Sequence, residues 1–192
     1  MSAATISTPL ALLHVDDNPN DRFLLQLAAR RAKTPFTIYD ADGAQSAAPH
    51  FAAWSVHSGA NPHPAPSLVL LDYDMGDHNA VDFLHWLRLV RKANTVVVMF
   101  TGSTDETVVR NCYSAGANHF LAKPTSLDRI LDIIAALQQY MLSDPPRFEA
   151  LAALPEYRPN PMPTQAAAIS DQDNPLPSGT SPTRQAADNI LR

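Results

Sequence analysis

Four apolar residues in a row, Leu68-Val69-Leu70-Leu71, stop at an aspartate, Asp72. The run is too short for a buried helix, and it has no polar alternation. It predicts a β-strand covered on both faces, as in a parallel sheet sandwiched between helices. A charge placed at the end of such a strand is costly unless something pairs it. Asp72 is therefore hard to explain as structure and points to chemistry.

The rest of residues 11–142 has the matching pattern, with short apolar runs alternating with amphipathic stretches. Ala11–Val15 is predicted as the first strand. Asn18 caps the following helix, with Pro19 at its first position and Asp21 in its first turn. Phe36–Tyr39 is a weak second strand, Gly43–Trp54 a helix, and residues 55–66 a loop rich in Pro, Gly and Asn. After the strand Leu68–Leu71, Val81–Val90 reads as helix three and Thr95–Phe100 as strand four. Ser103 and Glu106 form a capping-box pair that opens helix four, which ends near Gly116. His119–Ala122 is strand five. Ser126 caps helix five, with Leu127, Ile130, Leu131, Ile134 and Leu137 along one face. The fold class is α/β, a doubly wound five-stranded parallel sheet of five βα units, over residues 8–143.

Composition shifts near residue 144. Nine of the 17 prolines lie in 145–192, a stretch without lysine or tryptophan. Residues 144–192 are expected to be a Pro-rich, mostly disordered tail, because so little apolar periodicity cannot offset the entropy of ordering. A short helix within Arg147–Leu154 is the exception. The net charge of -5 argues against non-specific binding to DNA or acidic membranes. Residues 145–192 hold four arginines against five acidic residues, so direct DNA binding is not expected. The N-terminus has no basic n-region, and no apolar stretch is long enough to span a bilayer. With a single cysteine, Cys112, a cytoplasmic location is expected. The seven histidines show no metal-ligand spacing, so no zinc site is expected.

In a doubly wound sheet, ligands bind beyond the carboxyl ends of the strands. The polar residues there are Asp16 and Asp17, Asp72, Thr101 and Lys123. Three carboxylates, one hydroxyl and one ammonium thus share one crevice. Crowded carboxylates repel, and a hard divalent cation such as Mg²⁺ relieves the repulsion. A carboxylate can also attack phosphorus, and phosphoryl transfer needs positioning and charge stabilisation more than acid–base chemistry.

The segments HVDDNPND (14–21), LVLLDYDM (68–75), FTGS (100–103) and FLAKP (120–124) resemble the signature positions of response-regulator receiver domains. HVDDNPND and CYSAGANHFLAKP are most similar to small stand-alone regulators that partner phytochrome-type histidine kinases. The resemblance implies a flavodoxin-like (βα)5 receiver fold and a phosphoacceptor switch with Asp72 as acceptor and Mg²⁺ as cofactor. It implies that Asp16, Asp17 and Asp72 serve the metal, with Asp74 offering its backbone carbonyl. It assigns Thr101 and Lys123 to the phosphoryl group and Phe120 to the aromatic switch that turns inward when Thr101 swings toward the phosphate. Such a protein is not an enzyme acting on other substrates; its phosphorylation and dephosphorylation are self-catalysed. Its donor is a histidine kinase, of phytochrome type, or a phosphotransfer protein. Its output is protein–protein contact through helix four, strand five and helix five, a face that is also a candidate homodimer interface.

Two positions depart from the family. Gly76 stands where proline is usual, and Ala80 where glycine is usual. Two rival readings compete. Asp72-Tyr73-Asp74 fits the D-x-D of haloacid-dehalogenase-type phosphatases, but the acidic pair at 16–17 comes first rather than last and there is no room for a cap. A degenerate receiver that binds partners without phosphorylation is the other alternative.

Overall fold

The computed structural model describes residues 10–51, 65–76 and 78–161. Five strands form one sheet: β1 (Ala11–Val15), β2 (Thr37–Ala41), β3 (Leu68–Leu71), β4 (Val96–Thr101) and β5 (His119–Ala122). They are all parallel, in the order β2-β1-β3-β4-β5. The order reverses between β1 and β3, which puts their carboxyl ends, and so Asp16 and Asp72, at the topological switch point.

Helices α1 (Pro19–Ala32), α2 (Ala44–Ala47), α3 (Ala80–His85), α4 (Glu106–Ser114) and α5 (Leu127–Leu142) cover the sheet. Alternation along β1 sends Leu13 and Val15 to the face covered by α2, α3 and α4, where they join Phe83, Met99 and Phe120. Leu12 goes to the opposite face, where α1 and α5 contribute Leu25, Ile133, Ile134 and Leu137. All four residues of Leu68–Leu71 are fully buried, as a strand with helices on both faces requires. No helix among the described residues is long and apolar enough to cross a membrane.

The local signals acted largely as expected. Asn18 accepts from the Asn20 N–H and Pro19 opens α1. Ser126 caps α5 through the Arg129 N–H. At α4 the cap is Asp105 rather than Ser103, because its carboxylate reaches the Thr107 N–H at 2.7 Å. The second helix is short: α2 passes into a 3₁₀ turn at Ala48–Phe51. The remainder of the expected Gly43–Trp54 helix, and residues 55–64 of the expected loop, lie outside the described residues. The end of helix three widens, with the Arg91 N–H bonding Trp86 O one residue beyond the α-helical partner.

The expected boundary at 143/144 does not match the folded unit. Residues 145–161 run back over the domain, forming α6 (Glu149–Ala152). The chain then adds antiparallel to the outer edge of β5, pairing Tyr157 with Leu121. Ala122 N–H donates to Glu156 O, and Arg158 N–H to Phe120 O, both at 2.9 Å. Leu151 is fully buried, Phe148 stacks on His119, and Arg129 forms a two-bond ion pair with Glu156. An edge strand offers unpaired amides and carbonyls, and Leu151, Leu154 and Tyr157 pack with the core on the α1–α5 face. Residues 162–192 of the expected tail lie outside the described residues.

Candidate functional site

The crevice is built from the ends of four strands and the first turn of one helix. Asp16 ends β1 fully buried, Asp17 follows it exposed, and Asp72 ends β3 with 6% of its surface exposed. Oxygens of these three carboxylates lie within 4.8 Å of one another. Lys123, just past β5, reaches into the same place. Its Nζ lies 2.8 Å from Asp72 Oδ2 and 2.8 Å from Asp16 Oδ2. Thr101, at the end of β4, is buried beside them, and its Oγ1 accepts from the Ser103 N–H. All five positions picked out by sequence therefore meet in one site.

The carboxylates differ in environment. Asp16 Oδ1 accepts from the Asn18 N–H at 2.9 Å, and its carbonyl accepts from Arg22. Burial works against the Asp16 charge, but His14 and Lys123 outweigh it and hold the carboxyl below its ordinary range. Asp72 Oδ1 accepts from the Tyr73 N–H at 2.7 Å. Burial pushes the Asp72 carboxyl up, and Lys123 offsets only part of that. For Lys123, burial disfavours the ammonium, yet Asp16, Asp72 and Asp21 overcome it and push its pKa up.

Asp16 Oδ2 is buried, and its contact with Lys123 is angled as a charge contact rather than a hydrogen bond; no aligned donor serves it. A buried carboxylate oxygen without a donor, close to two further carboxylates, suits a hard cation with oxygen ligands, so the residues present fit Mg²⁺.

Two participants are missing from the sequence reading. Asp21 Oδ2 accepts from Lys123 Nζ at 2.9 Å. It sits in the first turn of α1, two residues into the helix. His14, two residues before Asp16 on β1, faces the same way by strand alternation. Phe120 is fully buried and packs inward with the core on the α3–α4 face. Asp74 is exposed in a two-residue ribbon that pairs Asp74-Met75 with residues 78–79. Gly76 turns that ribbon at φ +64°, a conformation closed to proline, so glycine at this position follows from the turn. Ala80 is fully buried at the start of α3. An open groove of about 640 Å³ between α5 and α6 lies away from these charged groups. The chemistry places the site in the acidic crevice instead.

A doubly wound parallel sheet with an acidic crevice and a lysine at its switch point defines a small α/β domain with a charged site at its strand ends. Residues 12–135 match the response regulator receiver domain family, and the chain belongs to that family. This sets aside the phosphatase alternative. Receiver domains work with histidine kinases or phosphotransfer proteins in two-component signalling. The sensory/regulatory protein RpfC of Xanthomonas campestris pv. campestris is 35% identical over 72 residues, covering 36% of this chain and 10% of that protein. This chain thus matches only a small part of that longer relative. Among solved structures, the phosphorylated cyanobacterial phytochrome response regulator RcpA is similar with TM-score 0.60 and 20% identity, over 71% of this chain and 96% of that one. The Mn²⁺-bound form of response regulator Rcp1 is similar with TM-score 0.58 and 20% identity, over 70% and 96%. At these identities the likeness concerns the fold.

Proposed function

We propose that the chain is a phosphoacceptor switch of a two-component or phosphorelay system, accepting a phosphoryl group on Asp72 from a histidine kinase or a phosphotransfer protein. The observation that carries this reading is the convergence of the Asp16, Asp17 and Asp72 carboxylates on one crevice with Lys123 Nζ 2.8 Å from two of them. An Asp72 oxygen attacks phosphorus, the P–O bond forms as the donor's P–N bond breaks, and the donor histidine keeps the electron pair. The partly buried Asp72 carboxylate is poorly solvated, which favours it as a nucleophile. Asp16, Asp17, Asp72 and the backbone carbonyl of Asp74 are the groups that would hold Mg²⁺. Bound there, the cation offsets the charge of the carboxylates and of the phosphoryl oxygens. Lys123 neutralises one phosphoryl oxygen and the Thr101 hydroxyl donates to another.

Movement of Thr101 toward the phosphoryl group changes the packing around Phe120, a local event with a wider readout. Output is protein–protein contact rather than DNA binding, in the cytoplasm. Residues 155–158 occupy the edge of β5, so a downstream partner or a second copy of this chain meets α4, α5 and this segment together. Light scattering with and without phosphorylation reports the homodimer; an unchanging monomer rules it out. The resemblance of HVDDNPND and CYSAGANHFLAKP to regulators that partner phytochrome-type kinases supports a donor of that type, and the three crowded carboxylates support a divalent cation.

Intact-mass analysis after incubation with acetyl phosphate and Mg²⁺ tests the reading. One phosphoryl adduct is expected, labile to base and missing in Asp72→Asn. Lack of any adduct, with acetyl phosphate and with histidine kinases of the same cell, would overturn it and favour the degenerate receiver.

A further inference from the structure

His14 is a buried polar group that phosphoryl transfer leaves unused. It lies within β1, where its four strand neighbours are Ala11, Leu12, Leu13 and Val15. Its side chain has no exposure, and its ring sits 6.2 Å from that of Phe100. An imidazole in such a place costs free energy unless it is partnered. The partners within reach are two carboxylates. Nε2 lies 3.3 Å from Asp16 Oδ2. Nδ1 lies 3.8 Å from Oδ1 of Asp40, the residue directly across the β1–β2 pairing. Neither ring nitrogen is aligned in a hydrogen bond, and Asp16 Oδ2 has no aligned donor either. An orphaned donor and an orphaned acceptor thus face each other in the interior, beside the metal crevice.

The Asp16 carboxylate has two kinds of anchor. Oδ1 is held by the Asn18 N–H, whereas Oδ2 has only close charge contacts, with Lys123 at 2.8 Å and His14 at 3.3 Å. Once Lys123 turns to a phosphoryl oxygen, His14 is the buried group left beside Oδ2. We propose that His14 is a positioning residue for Asp16: its Nε2–H holds Oδ2 and sets the rotation of that carboxylate in the divalent-cation site. The role rests on the metal-binding reading given above. Outer partners of this kind typically tune metal affinity by about 10- to 100-fold.

Mn²⁺ binding to the full chain, read from the EPR signal of free Mn²⁺ without any phosphoryl donor, tests it. His14→Leu matches the apolar surroundings and removes the donor; Mn²⁺ affinity should fall by about 10-fold while thermal unfolding of the metal-free protein is not lowered. The isosteric pair His14→Gln and His14→Asn separates positioning from packing if the leucine variant folds poorly. The glutamine amide reaches toward the Nε2 position and should restore most of the affinity; the asparagine amide stops near the Nδ1 position and should not. Equal affinity of His14→Leu and wild type, or of the Gln and Asn variants, would overturn the role while leaving the site itself intact. A wild-type protein that binds no Mn²⁺, or binds it unaffected by Asp17→Asn, would overturn the metal reading and this role with it.

Discussion

Two aspartates that meet the same lysine differ in sign. Burial dominates at Asp72 and raises its pKa; His14 and Lys123 dominate at Asp16 and lower it. A carboxyl raised in the folded state costs stability at neutral pH, and that cost fades as pH falls toward its protonation. A carboxyl lowered in the folded state adds stability above its ordinary pKa, and the gain is lost as pH falls through the depressed value. Asp72→Asn is therefore expected to stabilise the metal-free protein, and Asp16→Asn to destabilise it, at pH 7. Urea unfolding checks this; the Asp72 difference should shrink as pH falls toward 4, the Asp16 difference should persist there and fade only below it, and equal signs for the two variants would contradict the assignment. Cys112 gives a simpler residue-level case. It is fully buried on α4, and burial pushes its thiol up to about 12. It should resist thiol reagents at pH 8 in the native protein and react only on unfolding.

At the scale of elements, the segment after α5 behaves as part of the domain. Its anchor is Leu151, fully buried beneath α6. Leu151→Ala should cost about 3 kcal/mol by urea unfolding, whereas a residue in a disordered tail would cost nothing. Composition pointed the other way because nine prolines over 145–192 swamp the few apolar residues of 148–157. What holds the segment is the free edge of β5 and the Arg129–Glu156 pair, and neither partner is a neighbour in sequence. The cap of α4 was misread for a similar reason. Ser103 and Glu106 have capping-box spacing, but Asp105 is the residue whose backbone enters α4 with its carboxylate over the first amides. By contrast Asn18, Pro19 and Ser126 were legible, since each acts on amides within three residues of itself.

For the whole molecule, the crevice concentrates repulsion that a cation would relieve. Mg²⁺ should stabilise the folded chain by mass action, about 2.7 kcal/mol at ~100 times its Kd. Differential scanning calorimetry with Mg²⁺ and with EDTA reads this as a rise in Tm. The rise should be lost in Asp17→Asn, whose exposed side chain contributes little else to the fold. A Tm insensitive to Mg²⁺ in the wild type would remove the cation from the proposed function.

The sequence alone determined the parallel sheet, its helical layers and the ring of Asp16, Asp17, Asp72, Thr101 and Lys123. Those follow from short-range periodicity and from the rule that strand ends converge at the switch point, both of which are written locally. Only the tertiary structure decided what pairs with what. It brought Asp21 to Lys123 across 102 residues, placed Asp40 across from His14, gave Gly76 its left-handed turn and laid residues 155–158 on β5. Such contacts depend on which side chains share a dry, low-dielectric space, where an unpaired charge is costly and a paired one is held. That sharing is a property of the packed molecule and of no single stretch of its chain.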